Sequence, residues 1–169
     1  VDSDASKAAL KALREGGKTY KVQIAALASE AGFGNQESMD TLVAIIADGK
    51  GLDPSVAAAS VRRMPADIVV KITDKVLECC ELNSDVATRL LESWSAVDAD
   101  PTRLYAWGLN NENPDIQMQA IWLVGAREDK EYLQQIAPML ESADTGIRGM
   151  AAWSIVRILG DLYEPGTET

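Results

Sequence analysis

The chain offers few of the side chains with which proteins usually do chemistry. Its 169 residues contain no His and only two Cys. Without His, the sequence excludes His-based catalytic triads, His-ligated zinc or haem, and the commonest general acid/base group. Cys79 and Cys80 are neighbours, a spacing that fits no zinc pattern and would make a strained disulfide. We therefore expect two free thiols in a reducing compartment.

Acidic side chains form one cluster that could attract a cation or a basic peptide: Glu112, Asp115, Glu128, Asp129 and Glu131. Their spacing does not resemble an EF-hand loop, so we expect no specific metal. Paired carboxylates can do acid/base work where a pocket shifts their pKa values, but no pattern here indicates such a pocket. The stretch Gly32-Phe33-Gly34-Asn35 lacks the strand and the Lys of a phosphate-binding loop and predicts a turn. The sequence therefore predicts neither an enzyme nor a cofactor.

The charge balance limits the classes of partner. With 16 Lys plus Arg against 26 Asp plus Glu, the formal net charge is -10. Such a chain repels nucleic-acid phosphates and anionic membrane surfaces, and no apolar run approaches the roughly 20 residues of a membrane span. We expect neither a nucleic acid nor a membrane as partner. We expect a cytoplasmic protein, in keeping with the expected free thiols. Because the chain begins at Val1 with neither Met nor a leader, we expect an N-terminus that was cut or artificially made, so that any targeting signal is not visible in this sequence.

An internal repeat organises the sequence. The stretch Ile147–Ile155 is echoed 31 residues earlier by Ile116–Val124, with Ile, Ala and Trp in register. Similar amphipathic segments open at Val86, Val56 and Val22, so five units follow one another at spacings of 34, 30, 30 and 31 residues. A single amphipathic helix cannot bury its apolar face alone, whereas stacked helix pairs bury their faces against one another.

Start and stop signals predict about ten helices within a single repeat domain that covers residues 1–169. Starts are predicted at Asp53-Pro54, Asp100-Pro101 and Asn113-Pro114, and stops at Gly16-Gly17, Gly32, Gly49, Gly51 and Gly160. The predicted units span residues 4–31, 36–63, 66–96, 101–126 and 129–159, followed by a tail at 160–169. Within them, the predicted helices pair as 4–15 with 19–31, 36–47 with 54–63, 66–81 with 84–96, 101–109 with 114–126, and 129–142 with 145–159.

The last unit carries a family resemblance. Its Pro138-Met139-Leu140, Asp144, Ile147-Arg148, Ala151-Ala152 and Leu159-Gly160 resemble the HEAT-like repeat of phycobilisome-lyase-type proteins. The unit that begins at Ile116 follows the motif in part, and the first three units lack its Arg. The resemblance implies an all-α, right-handed α-solenoid of about five helical hairpins whose second helices line a concave groove. It also implies that Asp144 and Arg148 pair between turns in a structural role.

The helical wheel of the last helix predicts an exposed apolar patch. With Ile147 as the origin, Ala151, Ile155 and Ile158 form a buried stripe, whereas Trp153 points to the other side. The repeat places Trp122 at the equivalent point of the preceding unit, so we expect the two rings side by side on the concave face. The predicted partner-binding patch consists of Met118, Trp122, Met150, Trp153 and Val156.

Exposed Trp and Met side chains are typical of surfaces that bind another protein. We therefore predict a non-enzymatic adaptor or scaffold whose patch binds a hydrophobic segment of a partner protein. Two alternatives remain open: the Trp rings pack over Gly125 and Gly149, or the patch is covered by the tail from Leu162 or by a further stretch of the chain.

The first three units carry Ala28, Arg62 and Glu92 where the later units carry Trp, so the predicted groove has a polar half. Its secondary candidates for a partner are Arg62, Arg89 and Glu92. The family resemblance adds a second functional hypothesis, a bilin (tetrapyrrole) lyase-like subunit or pigment-handling protein.

Overall fold

Residues 4–160, which a computed structural model describes, form ten α-helices and no strand. The predicted all-helical class and the predicted number of helices are thereby confirmed. Contacts divide the chain into two compact units, residues 1–100 and 101–169. Most of the predicted tail, residues 161–169, lies outside the described residues. None of the described helices is both long and apolar enough to cross a membrane.

The first unit contains six helices. They are α1 (Asp4–Gly16), α2 (Tyr20–Gly32), α3 (Gln36–Asp48), α4 (Pro54–Ser60), α5 (Ala66–Cys79) and α6 (Ser84–Ser93). Two of them continue as 3-10 turns, α4 into Val61–Arg63 and α6 into Trp94–Ala96. The second unit contains α7 (Thr102–Leu109), α8 (Pro114–Arg127), α9 (Leu133–Ile136) and α10 (Thr145–Gly160).

Local capping chemistry explains where several helices begin. The Asp53 carboxylate accepts hydrogen bonds from the backbone N–H groups of Ser55 and Val56, at 2.9 and 3.2 Å. Asn113 caps α8 in the same way. A side-chain acceptor followed by Pro therefore starts a helix at both predicted sites. The third predicted start is displaced, because α7 begins at Thr102 with Pro101 rather than Asp100 at the cap.

The predicted helix over residues 129–142 is broken. A 3-10 turn at Lys130–Tyr132 leads into the four-residue α9, and a second 3-10 segment covers Ala137–Glu141. Pro138 lies in this second segment. Because Pro lacks a backbone N–H and its ring clashes with the carbonyl four residues earlier, a continuous helix cannot pass through it.

The core of the first unit is aliphatic and lies between successive helices. α2 contacts α1, α3 and α4, while α3 contacts α5 and α4 contacts α6. The large side chains buried most completely are Ile24, Leu42, Ile45, Ile46, Ile72, Leu90 and Leu91. Trp94 is also buried, and its Nε1 donates a hydrogen bond of 2.9 Å to Thr73 Oγ1.

The second unit is held by a very close approach of α8 and α10. A Cβ placed on Gly125 would lie 2.6 Å from Ser154 Oγ and 2.7 Å from Ser154 Cα. Ser154 is buried, and its hydroxyl donates a hydrogen bond of 2.8 Å to the carbonyl of Ile121. Only glycine at position 125 leaves room for this contact, which fixes α10 against α8.

Candidate functional site

Helix α10 carries a row of exposed apolar side chains, which we call the α10 face: Trp153, Val156 and Leu159. Their exposed fractions are 41%, 69% and 44%. Residues three apart lie on neighbouring turns of a helix, so the three side chains follow one another along it. Ile147, Ala151 and Ile158 are buried on the opposite side, and the predicted exposure of Trp153 is confirmed.

The buried stripe of α10 differs from the prediction at one position. Ser154 is buried beside Gly125, whereas Ile155 is only half-buried. The tight contact with α8 selects a small side chain for the centre of the interface. This rotates the buried stripe of α10 toward Ser154 and away from Ile155.

A charged pair borders the α10 face. The Arg157 guanidinium lies over the Trp153 ring, with its Cζ 5.6 Å from the ring centroid, a distance suited to a cation–π contact. The Arg157 Nη2 also lies 3.2 Å from Glu128 Oε1. Glu128 ends α8 in the left-handed conformation with φ 58° and ψ 36°. The Trp153 ring is thus held by a cation that is itself anchored to α8.

The rest of the predicted patch is less accessible. Met118, Trp122 and Met150 are each half-buried. The Met118 sulfur lies 3.1 Å from the position that a Cβ on Gly146 would take, so it packs at the start of α10. In the described part of the chain, no ring contact joins Trp122 to Trp153. The exposed site is therefore smaller than predicted, and it includes Leu159.

Sequence reasoning missed Leu159 and Arg157, although helical spacing contained the signal for both. Leu159 follows Val156 by three residues, and Arg157 follows Trp153 by four, which places each pair on adjacent turns. The apolar stripe therefore extends toward the end of α10 rather than across to α8.

The structure separates the secondary candidates. Arg89 Nη1 lies 2.7 Å from Glu92 Oε2, so these two form an exposed ion pair within α6. Arg62 lies on the 3-10 turn after α4 and lines a cavity together with Ala28. Neither Arg89 nor Glu92 lines that cavity. The expected polar groove of Arg62, Arg89 and Glu92 is thus two separate features.

Asp144 and Arg148 are structural, but they do not pair with each other. Asp144 Oδ1 caps α10 by accepting from the N–H groups of Gly146 and Ile147, at 2.7 and 3.0 Å. The Arg148 guanidinium donates to the carbonyls of Ser142 and Ala143, at 2.7 and 2.9 Å. Both side chains therefore fix the turn before α10 by separate hydrogen bonds.

Two members of the acidic cluster, Glu128 and Asp129, make structural contacts, and Glu128 pairs with Arg157. Asp129 Oδ2 accepts hydrogen bonds from the Tyr105 hydroxyl and from Arg127 Nε. Tyr105 also packs edge-on against Tyr132, with ring centroids 4.5 Å apart. Burial raises the pKa of Tyr105, and the adjacent Asp129 carboxylate raises it further. Among residues 4–160, no three or more Cys, Asp or Glu side chains are grouped so as to hold a metal ion.

The expectation of free thiols is wrong, because Cys79 and Cys80 are joined by a disulfide. Their Cα atoms are 3.8 Å apart, which is closer than in ordinary disulfides. This short distance between neighbouring residues is the reason that the sequence argued against a disulfide. Cys79 ends α5, and Cys80 has already left the helix in an extended conformation. The two cysteines therefore do not support the expected reducing, cytoplasmic compartment.

The chain matches no protein-family model, no curated protein and no solved structure. The tetrapyrrole hypothesis therefore rests on the sequence resemblance alone.

Proposed function

We propose that this protein is a non-enzymatic protein-interaction module whose α10 face binds an apolar segment of a partner protein. The observation that carries the proposal is the row of Trp153, Val156 and Leu159, which are all exposed on one helix. Exposed apolar rows with polar borders are typical of protein interfaces. A Trp supplies a large contact area with little loss of side-chain entropy on binding.

The border of the α10 face favours an apolar segment over a charged one. Arg157 and Glu128 neutralise each other at 3.2 Å, so this pair adds little net charge to attract a strongly charged partner. Val156 is the most exposed of the three apolar side chains. A partner gains most by covering Val156 and Leu159 with its own apolar side chains.

We propose a right-handed α-solenoid of HEAT-like hairpins. The sequence period supports it, as do contacts between successive second helices, α2 with α4 and α4 with α6 in the first unit and α8 with α10 in the second. Solenoids of this kind present extended surfaces to partner proteins.

Photo-cross-linking at Val156 tests the proposed function. We would place p-benzoylphenylalanine at position 156, and in a matched control at the exposed Gln134 of α9, and irradiate each protein in extract from the source cell. The proposal predicts a cross-linked heterologous protein at position 156 that is absent at position 134 and is lost on adding Trp153→Ser. Cross-links only to a second copy of the chain, or the same products at both positions, would overturn it.

A further inference from the structure

The first unit contains a cavity of about 990 Å³ that is independent of the α10 face. Its floor is one side of α2, where Lys21, Ala25, Ala28 and Gly32 recur at helical spacing. Helix α1 forms one wall, and α4 with its following 3-10 turn forms another. The cavity is therefore a groove that runs along α2.

Two large apolar side chains at this groove are left exposed. Leu13 at the end of α1 is 48% exposed, and Phe33, which follows α2, is 63% exposed. Both line the groove, together with Met64 and Pro65. The floor between them includes the small residues Ala25, Ala28 and Gly32, which allow the backbone of a bound segment to approach closely. The groove thus offers apolar contacts at its edges and space at its centre.

The charge of the groove is opposite to that of the chain. Lys21, Arg62 and Arg63 line it, and no carboxylate of residues 4–160 does, although the chain carries a net charge of -10. Within residues 4–160, none of these three cations has a hydrogen-bond or ion-pair partner. Uncompensated cations around an apolar groove attract a ligand that combines apolar groups with several negative charges.

We propose that this groove is the docking site for an acidic amphipathic helix of a partner protein. From Lys21 to Gly32 the floor extends about 16 Å, or three helical turns. A guest helix of that length and about 10 Å wide fills roughly 1,200 Å³, which is comparable to the cavity. Its apolar face contacts Leu13 and Phe33, and its flanking carboxylates pair with the three cations. A single fatty acid carries one carboxylate and leaves two of the cations unpaired.

A synthetic peptide provides the direct test. The probe is a fluorescein-labelled helical peptide of about three to four turns, with Leu on one face and Glu on its flanks, and the matched peptide carries Lys in place of each Glu. Fluorescence anisotropy with the full chain is expected to show binding of the Glu peptide only, weakened by added salt. Equal binding of both peptides, or no binding of the Glu peptide, would overturn the proposal.

Variants of the protein locate the binding. Arg62→Glu/Arg63→Glu removes the charge complementarity and Ala28→Trp fills the floor, and each is expected to weaken binding by about tenfold or more. The control is Lys11→Glu/Lys50→Glu, which makes the same charge change at exposed residues outside the groove and is expected to alter binding by less than about twofold. If Ala28→Trp disturbs the circular dichroism spectrum, Phe33→Ser replaces it. An equal loss in the control, or full binding by both groove variants, would contradict a groove site.

Two further measurements separate the other occupants. Sedimentation of the wild type and Ala28→Trp tests a second copy of this chain: a dimer that the variant dissociates would overturn the proposal. A fluorescent fatty acid that binds where the Glu peptide does not would also overturn it. Trp153→Ser/Val156→Ser should leave peptide binding unchanged, so this inference and the proposed α10 interaction succeed or fail separately.

Discussion

Glu30 shows how one residue joins three helices of the first unit. It is 8% exposed, and its Oε2 accepts a hydrogen bond of 2.6 Å from Ser38 on α3 and lies 3.2 Å from Arg14 Nη1 on α1. Arg14 in turn is 3.5 Å from the Ser38 hydroxyl. Because a buried carboxylate that loses its cation is strongly disfavoured, this network makes α1 dependent on α2 and α3.

The first residue-scale prediction concerns Arg14. Arg14→Met keeps the length of the side chain but leaves Glu30 without its cation, so we expect the free energy of unfolding to fall by about 2–3 kcal/mol. Urea denaturation followed by circular dichroism measures it. Lys11→Met, an exposed change on the same helix, should shift that free energy by less than about 0.5 kcal/mol. Equal effects of the two substitutions would show that the network contributes nothing.

The second residue-scale prediction concerns the Tyr105 hydroxyl. Burial and Asp129 raise the pKa of Tyr105 from its usual value of 10.0, so the folded protein keeps a proton that the unfolded chain releases. The contribution of this group to stability is complete below pH 10 and is lost as the pH rises above it, by about 1.4 kcal/mol per pH unit. Urea titrations above pH 10 should show a shallower loss for Tyr105→Phe than for the wild type. Identical slopes would contradict the assigned environment.

The contacts of single side chains could be predicted from the sequence only where the two partners lie within a few residues of each other. The caps at Asp53 and Asn113 bond to N–H groups two or three residues ahead, so the sequence alone predicts them. Arg148 and Asp144 resemble a motif whose members pair, yet each finds nearer backbone groups in the turn before α10. Glu30 carries no signal at all, because its partners come from two other helices.

At the scale of elements, the contact between α8 and α10 depends on the absence of one methyl group. Gly125→Ala would place a Cβ 2.6 Å from Ser154 Oγ, so the two helices must separate. We expect the free energy of unfolding to fall by about 2–3 kcal/mol. Thermal or urea unfolding measures the change.

The matched control for Gly125→Ala is Gly149→Ala on α10. A Cβ at Gly149 meets nothing within 4 Å, so the substitution only improves helix propensity and should raise stability by about 0.5–1 kcal/mol. Opposite signs for the two Gly→Ala changes are the expected result. Changes of the same sign would show that helix propensity, not the close approach, decides both.

Most helix boundaries followed from periodicity and stop signals, since these act within a few residues. The segment over residues 129–142 is different: we expected one helix there, whereas Pro138 prevents α9 from continuing beyond Ile136 as an α-helix. The disulfide between Cys79 and Cys80 could not be predicted either, because it depends on how the backbone leaves α5.

At the scale of the whole molecule, total charge and local charge differ. The composition gives a net charge of -10, yet Lys21, Arg62 and Arg63 line the groove of the first unit without a carboxylate from the described part of the chain. No sequence pattern indicates this, because the three cations come from α2 and from the turn that follows α4. The positive charge of this groove can therefore be recognised only once the fold is known.

The exposed apolar surface could be predicted only in part, because the sequence shows the spacing of residues within one helix but not how neighbouring helices pack on it. A helical wheel correctly predicts that Trp153 and Val156 are exposed, because this prediction depends only on the spacing of residues within α10. It cannot show that Met118, Trp122 and Met150 are half-buried, since neighbouring helices decide that. The protein therefore presents a narrower apolar face than the repeat alone suggests.

The central claim is that the α10 face binds a partner protein, and its most direct test is an affinity. With the partner that cross-links at position 156 in purified form, isothermal titration calorimetry would compare the wild type with Val156→Asp and with Gln134→Asp. A charge at the centre of the face should weaken binding by about tenfold or more, while the same charge on α9 should change it by less than about twofold. Unchanged affinity of the folded Val156→Asp protein would contradict the claim.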